Sequence, residues 1–193
     1  MNGNIRARVR EICGFTFDKE RSNETFWYNR AVSFHEGASI LCHHEAHILV
    51  FLFNAALSIE LLLKAIVVAN KGEIRFEHNL LKLAKAAEVS FSDNQKNTLE
   101  FMSEILIWNG RYPTPTKAGT WNDFQDVVLQ KHIIREMIGN AGVIRANPET
   151  FPSPNNYENY EVLWNIANQK WSELQTNEQK AAAHNSKQHE QNS

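Results

Sequence analysis

The stretch from Ala46 to Gly72, AHILVFLFNAALSIELLLKAIVVANKG, is apolar on nearly every face and therefore has to be surrounded. It is long enough to cross a membrane, but Asn54, Ser58, Glu60 and Lys64 interrupt it and would be left unsatisfied in a lone span. The reading is a buried core helix about which the other elements pack. At about 100° per residue, His43, His47, Asn54, Ser58 and Ala65 share a small, polar stripe, where a close helix neighbour is expected. Glu60, Lys64 and Lys71 share a second stripe, expected to face water or a partner charge, with Glu60 and Lys64 in the favourable i,i+4 order.

A chain of 193 residues can bury one sizeable core. Its 20 basic and 22 acidic residues leave a formal charge of -2, which excludes a global pull toward nucleic acid or anionic lipid and makes any such binding local. Cys13 and Cys42 do not make a disulfide framework, and Arg6, Arg8 and Arg10 are not followed by the apolar run of a signal peptide. The chain reads as soluble and cytoplasmic. Three regions are expected: an N-terminal arm over 1–22, a helical domain over 23–175, and a polar, disordered or partly helical tail over 176–193.

Within the domain, Asn23 can cap an amphipathic helix that runs to about Gly37 or on to Cys42. After the central helix, residues 78–89 repeat Leu80, Leu81, Ala84 and Ala87 on one face. Ser92 and Gln95 match a capping box for the next helix, which ends near Trp108-Asn109-Gly110. Arg111-Tyr112-Pro113-Thr114-Pro115 cannot be helical. Thr120 can cap a helix from Trp121 to about Ile138, residues 147–156 with Pro148, Pro152 and Pro154 form a connector, and Tyr157, Tyr160, Trp164, Ala167, Trp171 and Leu174 mark a packing seam. With no strand alternation longer than a few residues, the fold class is all-α, an up-and-down bundle of five to six helices.

Candidate chemistry falls in four places. Cys42-His43-His44-Glu45-Ala46-His47 offers metal ligands, yet the zincin spacing fails because Ile48 stands four residues after His44. His43 and His47, with His35 or Cys42 as a third ligand, make an incomplete set, so no metal and no cofactor is expected. Glu60 and Lys64 are either an acid/base pair or a structural ion pair, and Glu60 can instead reach Arg111. His78 precedes Asn79 at a helix start, where it can cap or act as an acid/base. Trp108 and Tyr112 bracket Arg111, which can hold a phosphate beside a stacked base or bond the carbonyls that end its helix.

Phe53-Asn54-Ala55-Ala56-Leu57-Ser58-Ile59-Glu60-Leu61-Leu62-Leu63-Lys64-Ala65, then His78-Asn79-Leu80, then Trp108-Asn109-Gly110-Arg111-Tyr112-Pro113, together resemble a HEPN domain, named for higher eukaryotes and prokaryotes nucleotide-binding. The likeness covers about residues 24–175. It implies a helical bundle, homodimerisation, and a superfamily used in RNA cleavage, toxin–antitoxin pairs, anti-phage defence and as companions of nucleotidyltransferases. Catalytic members place an arginine and a histidine with four to six residues between them. Arg111 is followed in that window by Thr116, Lys117 and Ala118, and the spacing of Arg30 and His35 lies in the first helix, where the family does not put its motif. The expectation is binding of nucleotide or RNA phosphate through Lys64, His78, Asn79, Arg111 and Tyr112, of which His78, Arg111 and Tyr112 flank helix ends, with His78 as acid/base and Arg111 on the phosphate if the site is an atypical, metal-independent endoribonuclease. The alternative is a non-catalytic dimeric module or companion of an antitoxin or other protein.

Overall fold

The computed structural model describes residues 3–43, 47–73 and 77–191. Its elements run α1 (Gly3–Ile12), α2 (Phe17–Arg21), α3 (Glu24–His43), α4 (Ile48–Ala69), α5 (Leu80–Ala86), α6 (Asp93–Glu104), α7 (Ala118–Asp123), the strands β1 (Ile133–Ile138) and β2 (Ala141–Ala146), and α8 (Tyr157–Gln191).

Helix α4 is the axis of the bundle, as its composition requires. It packs on α3, α5, α6 and α8, and 78% of its most apolar window is buried inside the fold, so its length serves a core rather than a span. Asn23 caps α3 by accepting the Phe26 N–H at 3.3 Å. That helix continues through Gly37, whose missing side chain lets Asn54 of α4 approach: a Cβ there would stand 3.3 Å from Asn54 Oδ1. The small stripe therefore has its close neighbour. Ser58, further along the same stripe, meets Tyr160 of α8. In α8 the aromatic seam is buried at Tyr160, Leu163, Trp164, Ala167 and Trp171.

The Ser92–Gln95 capping box starts α6 as expected. Beyond Glu104 the helix widens into a π turn over Ile105–Asn109, closed by the Gly110 N–H on the Ile105 carbonyl at 2.9 Å. Gly110 is required there, because a Cβ would fall 2.8 Å from both the Phe53 ring and the Ile105 carbonyl.

The helix expected over Trp121–Ile138 is corrected. It changes to a π turn at Phe124–Val128 and a 3-10 turn at Leu129–His132, and then gives way to the antiparallel hairpin β1–β2. Ile133 and Ile134 are β-branched, and Gly139 takes a positive φ of 61° at the first position of the two-residue loop between Ile138 and Ala141, the position a tight hairpin turn reserves for glycine. The bundle remains all-α around this ribbon. Residues 3–21 hold the short helices α1 and α2, and α8 continues as helix to Gln191 through the described part of the polar tail. The alanine, glutamate, glutamine and lysine content of that segment favours helix even without a core to pack on.

Candidate nucleotide-binding site at α4 and α5

Glu60 and Lys64 point into the protein, so that of the two expectations for their stripe, water or a partner charge, the partner charge holds. Their relative exposures are 3% and 6%, and Lys64 Nζ lies 2.5 Å from Glu60 Oε1. A charge this deep needs its remaining valences filled. Glu60 Oε2 does so by accepting the Nδ1–H of His78 at 2.9 Å. The histidine side chain is 49% exposed, so one buried carboxylate joins a buried ammonium to an imidazole at the surface. With Nδ1 committed to Glu60, Nε2 is the nitrogen left to accept or donate a proton.

The start of α5 holds this imidazole in place. Asn79 caps the helix by accepting the Lys82 N–H at 3.0 Å, and the Leu80 N–H is satisfied by Ser103 Oγ of α6 at 2.9 Å. Glu77 accepts the Asn79 N–H at 3.0 Å and pairs with Lys82 at 3.3 Å. The backbone N–H, more than the lysine, holds the Glu77 carboxyl below its ordinary range. Lys64, Val67, Gly72, Glu73, Glu77, Lys82, Leu83 and Ala86 line an open cleft of about 310 Å³ beside this cluster. Its walls are apolar at Val67, Leu83 and Ala86, and its rim carries both signs of charge.

Arg111 and Tyr112 belong to a different part of the molecule. The Arg111 guanidinium donates to the carbonyls of Leu106, at 2.5 Å, and Ile107, at 2.8 Å, which the ending of the helix leaves without N–H partners. It also lies 5.9 Å from the centroid of the Tyr112 ring, which is 58% exposed. Trp108 donates to Glu104 at 2.6 Å and packs edge-on against Phe124. Gly110 abuts Phe53, whereas His78 is tied to Glu60, and those α4 positions stand about 10 Å apart along the helix axis. The structure thus brings Lys64 and His78 together through Glu60, with Asn79 next in the chain as the cap of α5. It joins Arg111 and Tyr112 to the α6 end, and among the described residues no hydrogen bond or ion pair links the two groups.

Of the metal-ligand candidates, His44, Glu45 and Ala46 lie outside the described residues, and His47 caps α4 by accepting the Leu49 N–H at 3.3 Å. Among the described residues no three histidine, cysteine, aspartate or glutamate side chains gather as metal ligands.

Two features have no counterpart in the sequence reading. One is the participation of Glu77 and Lys82 in the cleft, signalled in sequence only by acid and base five residues apart across a helix start. The other is a hydrogen-bonded chain between helices: His35 Nδ1 stands 2.6 Å from Tyr160 Oη, which stands 2.8 Å from Ser58 Oγ. His35 also stacks on Trp164 at 4.1 Å between centroids. Burial lowers the His35 pKa, against opposing pulls from Glu161 and Glu36, and burial pushes the Tyr160 hydroxyl far up.

A family model for the HEPN domain matches residues 25–145. No curated protein and no solved structure matches the chain.

Proposed function

The chain belongs to the HEPN domain family, and on that premise we propose that it binds a nucleotide or RNA phosphate at the α4–α5 face, with autonomous cleavage absent or atypical. The observation that carries this reading is the shared carboxylate of Glu60, which fixes Lys64 and leaves His78 at the surface beside the cleft. In this reading His78 Nε2 and the side chain of Asn79 contact the ligand, Lys64 supplies fixed positive charge at the base, and the apolar wall receives a base. Arg111 and Tyr112 form a second contact surface, in which the ring stacks and the guanidinium is shared between phosphate and helix end. The engagement of Arg111 with two backbone carbonyls favours binding over a histidine–arginine cleavage pair. Its setting is a defence or toxin–antitoxin pair, in the cytoplasm.

A second reading, a dimeric companion module without catalysis, is favoured by the apolar side chains left exposed along α3 and α4: Ile40 at 61%, Val50 at 49% and Leu49 at 36%.

The test is a filter-binding and RNA-cleavage assay on metal-free protein, beside His78→Ala and Arg111→Ala variants shown to be folded by circular dichroism. Binding weakened about tenfold by His78→Ala, with no cleavage by the wild type, is the expected result. Cleavage lost in both variants would instead establish a ribonuclease site. No binding of RNA or nucleotide by a folded protein would move the assignment to the companion module.

A further inference from the structure

The acidic net charge of the chain conceals a local reversal. Residues 1–21 carry Arg6, Arg8, Arg10, Lys19 and Arg21 against Glu11, Asp18 and Glu20, whereas the remainder carries fifteen basic and nineteen acidic residues. The same segment holds the densest run of exposed apolar side chains in the described structure: Ile5 at 54%, Val9 at 53%, Ile12 at 78%, Phe15 at 60% and Phe17 at 72%. Neither α1 nor α2 packs more than marginally on another element.

The placement of these residues on α1 is ordered. At about 100° per residue Ile5, Val9 and Ile12 form one stripe, Arg6 borders it on one side and Arg8 on the other, and Arg10 and Glu11 lie toward the back. Arginines on both borders of an aliphatic stripe are placed to rest their stems on an apolar layer and their heads on anionic groups at its edge. Phe15 and Phe17 extend the apolar side past the end of the helix. A nucleic acid would use the arginines and the rings but would leave the aliphatic stripe in water.

A helix of ten residues is marginal in water when nothing packs on it. Its formation is thus completed by whatever surface takes the stripe. We propose that α1, with Phe15 and Phe17, is an interfacial anchor that lies on an anionic lipid surface and holds the HEPN domain beside it. Apolar insertion and basic attraction are the two signals that such attachment needs, and this segment supplies both. Attachment here is peripheral and leaves α4 in the protein core.

The experiment is co-sedimentation of the full chain with vesicles of phosphatidylcholine mixed with phosphatidylglycerol, and with vesicles of phosphatidylcholine alone. One variant carries Ile5→Ser, Val9→Ser and Ile12→Ser, and another carries Arg6→Gln, Arg8→Gln and Arg10→Gln. Because α1 lies off the body, both should keep the wild-type melting temperature. The expected result is binding to the mixed vesicles only, weakened more than about tenfold in each variant, with a rise in helicity of the wild type on binding. Equal binding to neutral vesicles, no binding, or a serine variant that binds like wild type would overturn the proposal. So would wild-type self-association in gel filtration that the serine substitutions abolish without any vesicle binding.

Discussion

His78 Nδ1 lies 2.9 Å from Glu60 Oε2, while the other oxygen of the same carboxylate holds Lys64. The buried pair is thereby completed from outside α4, by the residue before the Asn79 cap of α5. Removing Glu60 leaves the Lys64 charge buried and alone, and removing Lys64 leaves the buried carboxylate with His78 only, so Glu60→Leu and Lys64→Met should each destabilise the fold by about 3–5 kcal/mol in urea titrations. The double variant, which buries no charge, should recover much of that loss. Single variants within about 1 kcal/mol of wild type would mean that the pair is solvated in solution.

Arg111 closes the α6 end by donating to Leu106 and Ile107. Arg111→Ala should lower stability by about 1 kcal/mol, discounted because the side chain is exposed, and the midpoint of chemical denaturation reads it directly. If stability is unchanged while RNA binding falls, the guanidinium belongs to the ligand rather than to the helix.

The Gly110 position predicts a larger effect. Gly110→Ala drives a methyl into the Phe53 ring and the Ile105 carbonyl, and a loss of about 1–3 kcal/mol is expected in thermal or chemical unfolding. A neutral result would show that the π turn relaxes to accept it.

His132 is wholly buried; its ring is 4.9 Å from that of Phe101, and its Nε2–H donates to the Asn97 carbonyl at 3.2 Å. Burial lowers its pKa below the ordinary 6.5, outweighing the backbone hydrogen bonds that raise it. In the unfolded chain the ring takes its proton as pH falls through that ordinary value, while the folded protein still excludes it. The unfolded state then binds more protons, so the stabilisation present above about pH 6.5 is lost as the solution is acidified toward the folded pKa. Urea titrations at about pH 7.5 and 5.5 should show this loss, and His132→Phe should show a shallower one. An unchanged slope in the variant would assign the pH dependence to other groups, His35 first among them.

Much of the scaffold is legible in the chain because local rules coincide with burial there. The apolar run of α4, the Ser92–Gln95 box and the Tyr160–Trp171 seam each combine periodicity with a cap or a stripe, and each lies where that combination places it. The segment from Trp121 fails because Ile133 and Ile134 fit a helical face as well as a strand, and the decision rests on Gly139 and the pairing with residues 141–146. For Glu60 and Lys64 the i,i+4 spacing gives the ion pair but not its depth. Spacing on a helix shows that two side chains can meet but not on which side of the fold they do so. The partner that makes their burial tolerable, His78, arrives from eighteen residues away. Likewise His35 and Tyr160 are 125 residues apart, beyond the reach of any periodic signal.

The widened turn at Ile105–Asn109 has the effect of one residue inserted into α6. Every side chain after it is advanced by about 100° around the axis relative to an uninterrupted helix. From within this turn the Trp108 indole faces Phe124, and after it the Arg111 guanidinium reaches back to the carbonyls. A deletion of one residue at this point would keep every side-chain type and still redirect the arginine and Tyr112. Chain length between Glu104 and Gly110 is therefore as much a determinant of the surface this end of the domain presents as the identities of the residues on it.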